Sequence, residues 1–153
     1  MSSRSPEGLS IGEVAERFGI PVSTPRYYDR QGLFPNLGRK GGQRRFSQSD
    51  IGTLRVVECL KASGLEIAQI RRFMEAVAEG PSTYPERLEL FEARHAQVEE
   101  EMERLRDVLD VLAYKRWLYR GLVDGRGEEA MHAVDPADMP EAVARGWRLL
   151  NEM

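Results

Sequence analysis

One stripe of residues decides what the second half of this chain can become. Leu88, Phe91, His95, Val98, Met102, Leu105, Leu109, Leu112, Arg116 and Tyr119 follow one another at alternating steps of three and four. Such spacing is the heptad of a coiled coil, in which one seam of a helix is buried against another helix. The outer face is charged, as at Glu99-Glu100-Glu101. A lone helix would leave the seam in water, so the pattern demands a partner, most simply a second copy of the chain. The predicted dimerisation residues are Leu88, Phe91, Val98, Met102, Leu105, Leu109 and Leu112. His95 is the odd member: it reads as a structural residue at a loose end of the coil, with a pH or ligand role as the alternative.

The other constraining stretch is Ser23–Phe46, STPRYYDRQGLFPNLGRKGGQRRF. It holds Arg26, Arg30, Arg39, Lys40, Arg44 and Arg45 against a single acid, Asp29. Hydroxyls, phenols and cations on a short helix, followed by a basic hairpin, suit a phosphate backbone. The stretch therefore reads as the DNA-contacting part of a winged helix. The formal charge of the 153-residue chain is -3, which at first argues against a polyanion. The halves differ, however. Residues 1–80 carry 12 Lys/Arg and 9 Asp/Glu, and residues 81–153 carry 10 and 16. The basic excess is local, and the local field governs polyanion binding.

Cys59 is the one cysteine, so an internal disulfide and a multi-thiolate metal site are both excluded. A reducing, cytoplasmic setting fits. No apolar run approaches membrane-spanning length, and the polar start MSSRSPEG does not read as a signal peptide. Residues 1–8 read as disordered. No catalytic motif, cofactor motif or internal repeat is visible, and His95 and His132 stand far from other candidate catalytic groups in sequence.

Along the chain, Ser10 and Glu13 have the spacing of a capping box. The helix they open carries Ile11, Val14, Ala15 and Phe18 on one face and stops at Gly19. The short turn Gly19-Ile20-Pro21 then makes a helix-turn-helix. Pro25 is accommodated by placing Thr24 at the N-cap and Pro25 first in a recognition helix over Pro25–Gln31. Gly38, Gly41 and Gly42 punctuate a two-stranded wing closing at Gln43–Phe46. Ser47 and Asp50 cap a helix over Asp50–Ser63, and another covers Glu66–Glu79. The spacing thus predicts a DNA-binding domain over 9–80, a dimerisation helix over 81–120 and a tail over 121–153. That tail begins with a polar break, Gly121–Glu129, and carries a short helix from Asp138 with Val143, Trp147 and Leu150 on one side. A docked lid and a frayed end are both open readings of it.

Taken together, LSIGEVAERFGI, RYYDRQGLF, GGQRRF and SDIGTLRVVECLKASGLEIAQI, with the coiled-coil helix behind them, resemble the MerR family of bacterial transcriptional regulators over residues 9–119. The resemblance implies a mainly α chain: a winged helix-turn-helix, a long helix pairing as an antiparallel coiled coil in a homodimer, and a short helical tail. It implies binding to a near-palindromic operator in double-stranded promoter DNA. The dimer would bend and untwist an overlong spacer, letting RNA polymerase reach both promoter elements. Carried over by residue, Arg26 and Tyr27 match recognition-helix contacts, Arg44 the wing arginine and Lys61 a second-wing cation. Thr24, Tyr28, Arg39, Lys40 and Arg45 complete the predicted DNA-binding set. Pro25 departs from the aliphatic residue usual at its position. The cysteines that metal-sensing members carry around the long helix are missing, which argues against thiolate metal sensing.

Cys59-Leu60-Lys61-Ala62-Ser63-Gly64-Leu65 together with GPSTYPERLELF resembles the subgroup responding to aldehydes and nitrosative or electrophilic stress, in which the matching cysteine is the proposed sensor. Arg55 lies one turn before Cys59 and would favour a thiolate. The bland reading is an inert core cysteine. Two further readings stay open. One is a small-molecule effector held between coil and tail, with Tyr114, Trp117, Tyr119 and Trp147 as walls or as ordinary packing. The other is a coiled-coil adaptor whose helix-turn-helix has lost its DNA role. An enzyme is the least supported class.

Overall fold

A computed structural model describes residues 8–152. The expectation of disorder over residues 1–8 falls, Gly8 apart, outside the described residues. The order of elements is β1 (Leu9–Ser10), α1 (Ile11–Phe18), α2 (Ser23–Arg30), β2 (Gly38–Lys40), β3 (Gln43–Phe46), α3 (Gln48–Ala62), α4 (Ile67–Glu79), α5 (Tyr84–Val123), α6 (Glu128–His132) and α7 (Glu141–Asn151). Contacts divide the chain into two compact units, one ending at Arg94 and the next beginning at His95.

In the first unit the caps follow from the sequence. Ser10 and Glu13 form a complete capping box at α1, and Ser47 and Asp50 form one at α3. Gly19 ends α1 with φ of 64°, a left-handed conformation in which a side chain is strained. The wing is a hairpin with Arg39 opposite Arg44 and a Gly41-Gly42 turn. Both turn residues have positive φ, as a two-residue hairpin that follows strand twist requires. β1 adds a strand on the other side of β3, pairing Leu9 with Phe46. Phe46 is thereby fully buried and meets Phe34 edge-on, with ring centroids 5.4 Å apart. Val14, Ile51, Leu54, Val57 and Ile70 complete the core from α1, α3 and α4.

The second unit is built on a second face of α5. Tyr114, Leu118 and Gly121 lie roughly opposite the heptad seam by the 3.6-residue period. They are buried, and the two side chains pack with Met131 of α6 and with Met139, Val143 and Ala144. Two glycines permit close approach. A Cβ at Gly121 would collide with the Met131 side chain, and one at Gly146 with the backbone of Asp110. Arg145 then pairs with Asp110, Nε to Oδ2 at 3.0 Å. Most heptad residues face outward: Leu88, Met102, Leu105, Leu109 and Leu112 are exposed and Val98 is half-buried, while Phe91, partly exposed, meets Phe73 of α4 edge-on at 5.4 Å.

Several expectations need correction. α2 begins at Ser23, with Val22 at its N-cap, so Pro25 is the third helical residue rather than the first. The position is still in the first turn, where no carbonyl waits for a proline N–H, so the missing donor costs nothing. Pro25 is fully buried and serves the core in the role of an aliphatic residue. α5 continues through Tyr119 to Val123, into the expected polar break, and α6 begins at Glu128, before that break was expected to end. Of the two readings of the aromatic residues, Tyr114, Trp117 and Trp147 belong to one packed cluster, and Tyr119 is exposed.

Candidate nucleic-acid interface

The predicted contact residues gather on two adjoining elements, α2 and the β2–β3 hairpin. Arg26 and Tyr27 are exposed in α2. Thr24, one residue before the buried Pro25, is half-buried in the same turn. Arg39 and Lys40 are exposed on β2, and Arg44 and Arg45 are half-buried on β3. Lys61 is exposed in the last turn of α3, a different element.

What joins helix and wing is Asp29. Its Oδ2 accepts a hydrogen bond from Arg44 Nε at 2.6 Å and lies 3.9 Å from Arg39 Nη2. The Asp29 and Arg44 side chains are 18% and 24% exposed, so the pair is screened less than a surface ion pair would be. One carboxylate thus fixes two wing cations against the helix that carries Arg26. Asp29 was the lone acid of the basic stretch. That was the signal available, but only the fold brings residues 29, 39 and 44 together.

Between these elements lies a groove of about 380 Å³, lined by Ser10, Ile11 and Gly12 at the start of α1, by Arg26, and by Gln43 and Arg44 of the wing. The guanidinium groups of Arg26 and Arg44 suit an anionic oxygen, while the start of α1 is already closed by the Ser10–Glu13 capping box. Arg45, next along β3, has a buried Nε without a hydrogen-bond partner.

Tyr28 is the correction within the set. Its ring is 3% exposed, and its hydroxyl donates to Glu58 Oε1 at 2.7 Å. Burial, and then the bond to the Glu58 carboxylate, push its pKa above the ordinary 10.0. Tyr28 holds α2 to α3 and leaves Tyr27 as the outward phenol. Cys59, in contrast, is exposed on α3 rather than packed in the core. Among the described residues no group of His, Cys, Asp or Glu is arranged to hold a metal, and no helix is long and apolar enough to cross a membrane.

Two family descriptions match this chain: MerR HTH family regulatory protein over residues 9–77, and MerR, DNA binding, over residues 51–114. An uncharacterized HTH-type transcriptional regulator of Haemophilus influenzae is 37% identical over 133 residues, which span 86% of this chain and 96% of that protein. The HTH-type transcriptional regulator AdhR of Bacillus subtilis is 33% identical over 98 residues, 63% of this chain and 65% of AdhR. The fold is similar to the crystal structure of HiNmlR, a MerR family regulator lacking the sensor domain, bound to promoter DNA. That match has a TM-score of 0.60 and 37% identity, and covers 79% of this chain and 97% of the other. A MerR family regulator from Bacillus thuringiensis matches with a TM-score of 0.56 and 35% identity over 70% of this chain and 95% of its own.

Proposed function

The chain belongs to the MerR family of helix-turn-helix regulatory proteins, and from that membership we propose how it regulates. It is a DNA-binding transcription regulator and not an enzyme. It acts as a homodimer on a near-palindromic promoter operator and distorts the spacer so that RNA polymerase engages both promoter elements. Residues 9–80 bind DNA, 81–120 pair the two copies, and 121–153 form the tail. The observation that carries this reading is the cationic face that Asp29 assembles from α2 and the hairpin. Arg26, Tyr27, Arg39, Lys40 and Arg44 take the phosphate backbone, with Thr24 and Arg45 supporting them and Lys61 reaching it from α3. The promoter-bound state of HiNmlR supports the assignment. Measuring affinity for the upstream promoter fragment with Arg26→Ala tests it: the loss should be similar across DNA sequences, because a backbone contact carries no base information. Unchanged affinity would remove Arg26 from the interface.

The effector reading favoured by a specific observation is an electrophile at Cys59. The thiol is exposed, one turn after Arg55, and therefore open to reagents. Treating parent and Cys59→Ser with a mild electrophile during promoter opening decides the matter. A response in the parent alone supports thiol sensing. Identical responses would rule Cys59 out and direct the search to ligands of α5 and the tail.

A further inference from the structure

We infer that α7 is part of the dimer interface, and that the apolar groove it makes with α5 is filled by α5 of a second copy. The inference rests on the dimer proposed above. Asp107, Val108, Val111 and Leu112 of α5 and Leu149 of α7 line a groove of about 350 Å³. Leu112 belongs to the heptad seam, so the groove is continuous with that interface. Val108 occupies the flank position just before Leu109. At seven-residue steps along the same flank stand the charged Arg87, Arg94, Glu101 and Lys115, and then Leu122 near the end of α5. Leu122 packs against the core of the second unit, so Val108 is the apolar flank residue left exposed, at the level where α7 docks. A two-position seam suffices for a coiled coil, and an exposed apolar residue on its flank marks a locally wider buried face. Val108 and Leu112 are both about half exposed in the single chain.

The position of Leu149 is fixed. Gly146 lets α7 press onto the Asp110 backbone, Arg145 grips the Asp110 carboxylate, and Val143, Trp147 and Leu150 turn to the core. Leu149 remains at the edge facing the groove. The occupant follows from the antiparallel pairing that matches every seam position, whose centre lies between Met102 and Leu105. Leu109 then faces the partner's Val98, and Leu112 faces the partner's His95. This lays an acidic stretch, Glu99-Glu100-Glu101, along an edge where α7 carries the exposed Arg148 beside Leu149. Arg148 meets that stretch with the opposite sign, while Asp107 at the groove carries the same sign, so the seam continuity through Leu112 is what names the occupant.

The test places a cysteine at the groove by Leu149→Cys in a Cys59→Ser chain. Its maleimide labelling rate is measured in the dimer and in the same chain made monomeric by Leu105→Asp. Labelling should be roughly tenfold slower or more in the dimer, since a covered thiol reacts only through opening. Separately, Leu149→Asp should raise the dimer dissociation constant roughly tenfold or more, because it places a charge in an apolar contact. Tryptophan emission from Trp117 and Trp147 reports whether the tail stays docked. If Leu149→Asp undocks it, the labelling comparison decides alone. Equal labelling in a dimeric and a monomeric chain would overturn the inference and leave the groove to another occupant. A parent chain that sediments as a monomer at every concentration would instead defeat the dimer reading, and this inference with it.

Discussion

At the scale of single residues, Asp29 and Arg44 make separable predictions. Arg44→Ala removes one cation from each subunit, so DNA affinity should fall and the slope of log affinity against log salt should flatten by about 1.8 in the dimer. Asp29→Asn removes no cation but releases Arg44 and Arg39. Affinity should fall while the salt slope stays within error of the parent's, as expected of a residue that acts by positioning others. A flattened slope for Asp29→Asn would contradict that role. Tyr28 makes a pH prediction. Its folded pKa is raised by burial and by Glu58, so the folded state keeps the phenol proton when the unfolded chain releases it. The resulting stability is fully present below pH 10.0, the ordinary value, and is lost as pH rises from there through the folded pKa. Tyr28→Phe should cost about 1–2 kcal/mol at neutral pH through the lost bond to Glu58. The same change should lessen the alkaline loss, as urea unfolding at neutral pH and near pH 11 would record. An alkaline decline identical to the parent's would place the titration elsewhere.

At the scale of elements, the parts legible in the sequence are those settled by local rules. The Ser10/Glu13 and Ser47/Asp50 spacings announced the starts of α1 and α3, and Gly41-Gly42 announced the hairpin turn. Elements that depend on distant partners were not legible. β1 is two residues long and exists because Leu9 and Ser10 pair with Phe46 and Arg45. α6 follows a Gly-rich run and is held by Met131 against Gly121, a contact that no local pattern reveals. Pro25 was misplaced by two positions because a preference for the first helical position was weighed without the burial that the core demands. Asp29 was visible as an isolated acid, but its bridging role needed residues 39 and 44 brought beside it. The tail makes the prediction at this scale. Gly146→Ala drives a methyl into the Asp110 backbone, which helix geometry cannot relieve locally. It should undock α7 and shift tryptophan emission to the red, while the first unit's helices keep their thermal transition. Unchanged emission would contradict the close helix approach.

At the scale of the whole molecule, charge is divided as function requires. The excess of cations lies in the first 80 residues, which hold the cationic face of α2 and the wing, and the excess of acids lies in the remainder. The exposed seam of α5 completes the design, since its leucines are wet until a second chain covers them. A dimer presents two cationic faces to one operator, so each arginine lost counts twice in the complex. The most direct test is the salt dependence of binding to the chain's own upstream promoter DNA, for the parent and for the Arg26→Ala, Arg44→Ala double variant. The account predicts steep weakening with salt for the parent and a slope flatter by about four phosphates' worth, or roughly 3.6, for the double variant in the dimer. Equal affinity and equal slope for the two proteins would contradict it, because the face built from α2 and the wing would then not be the surface that meets DNA.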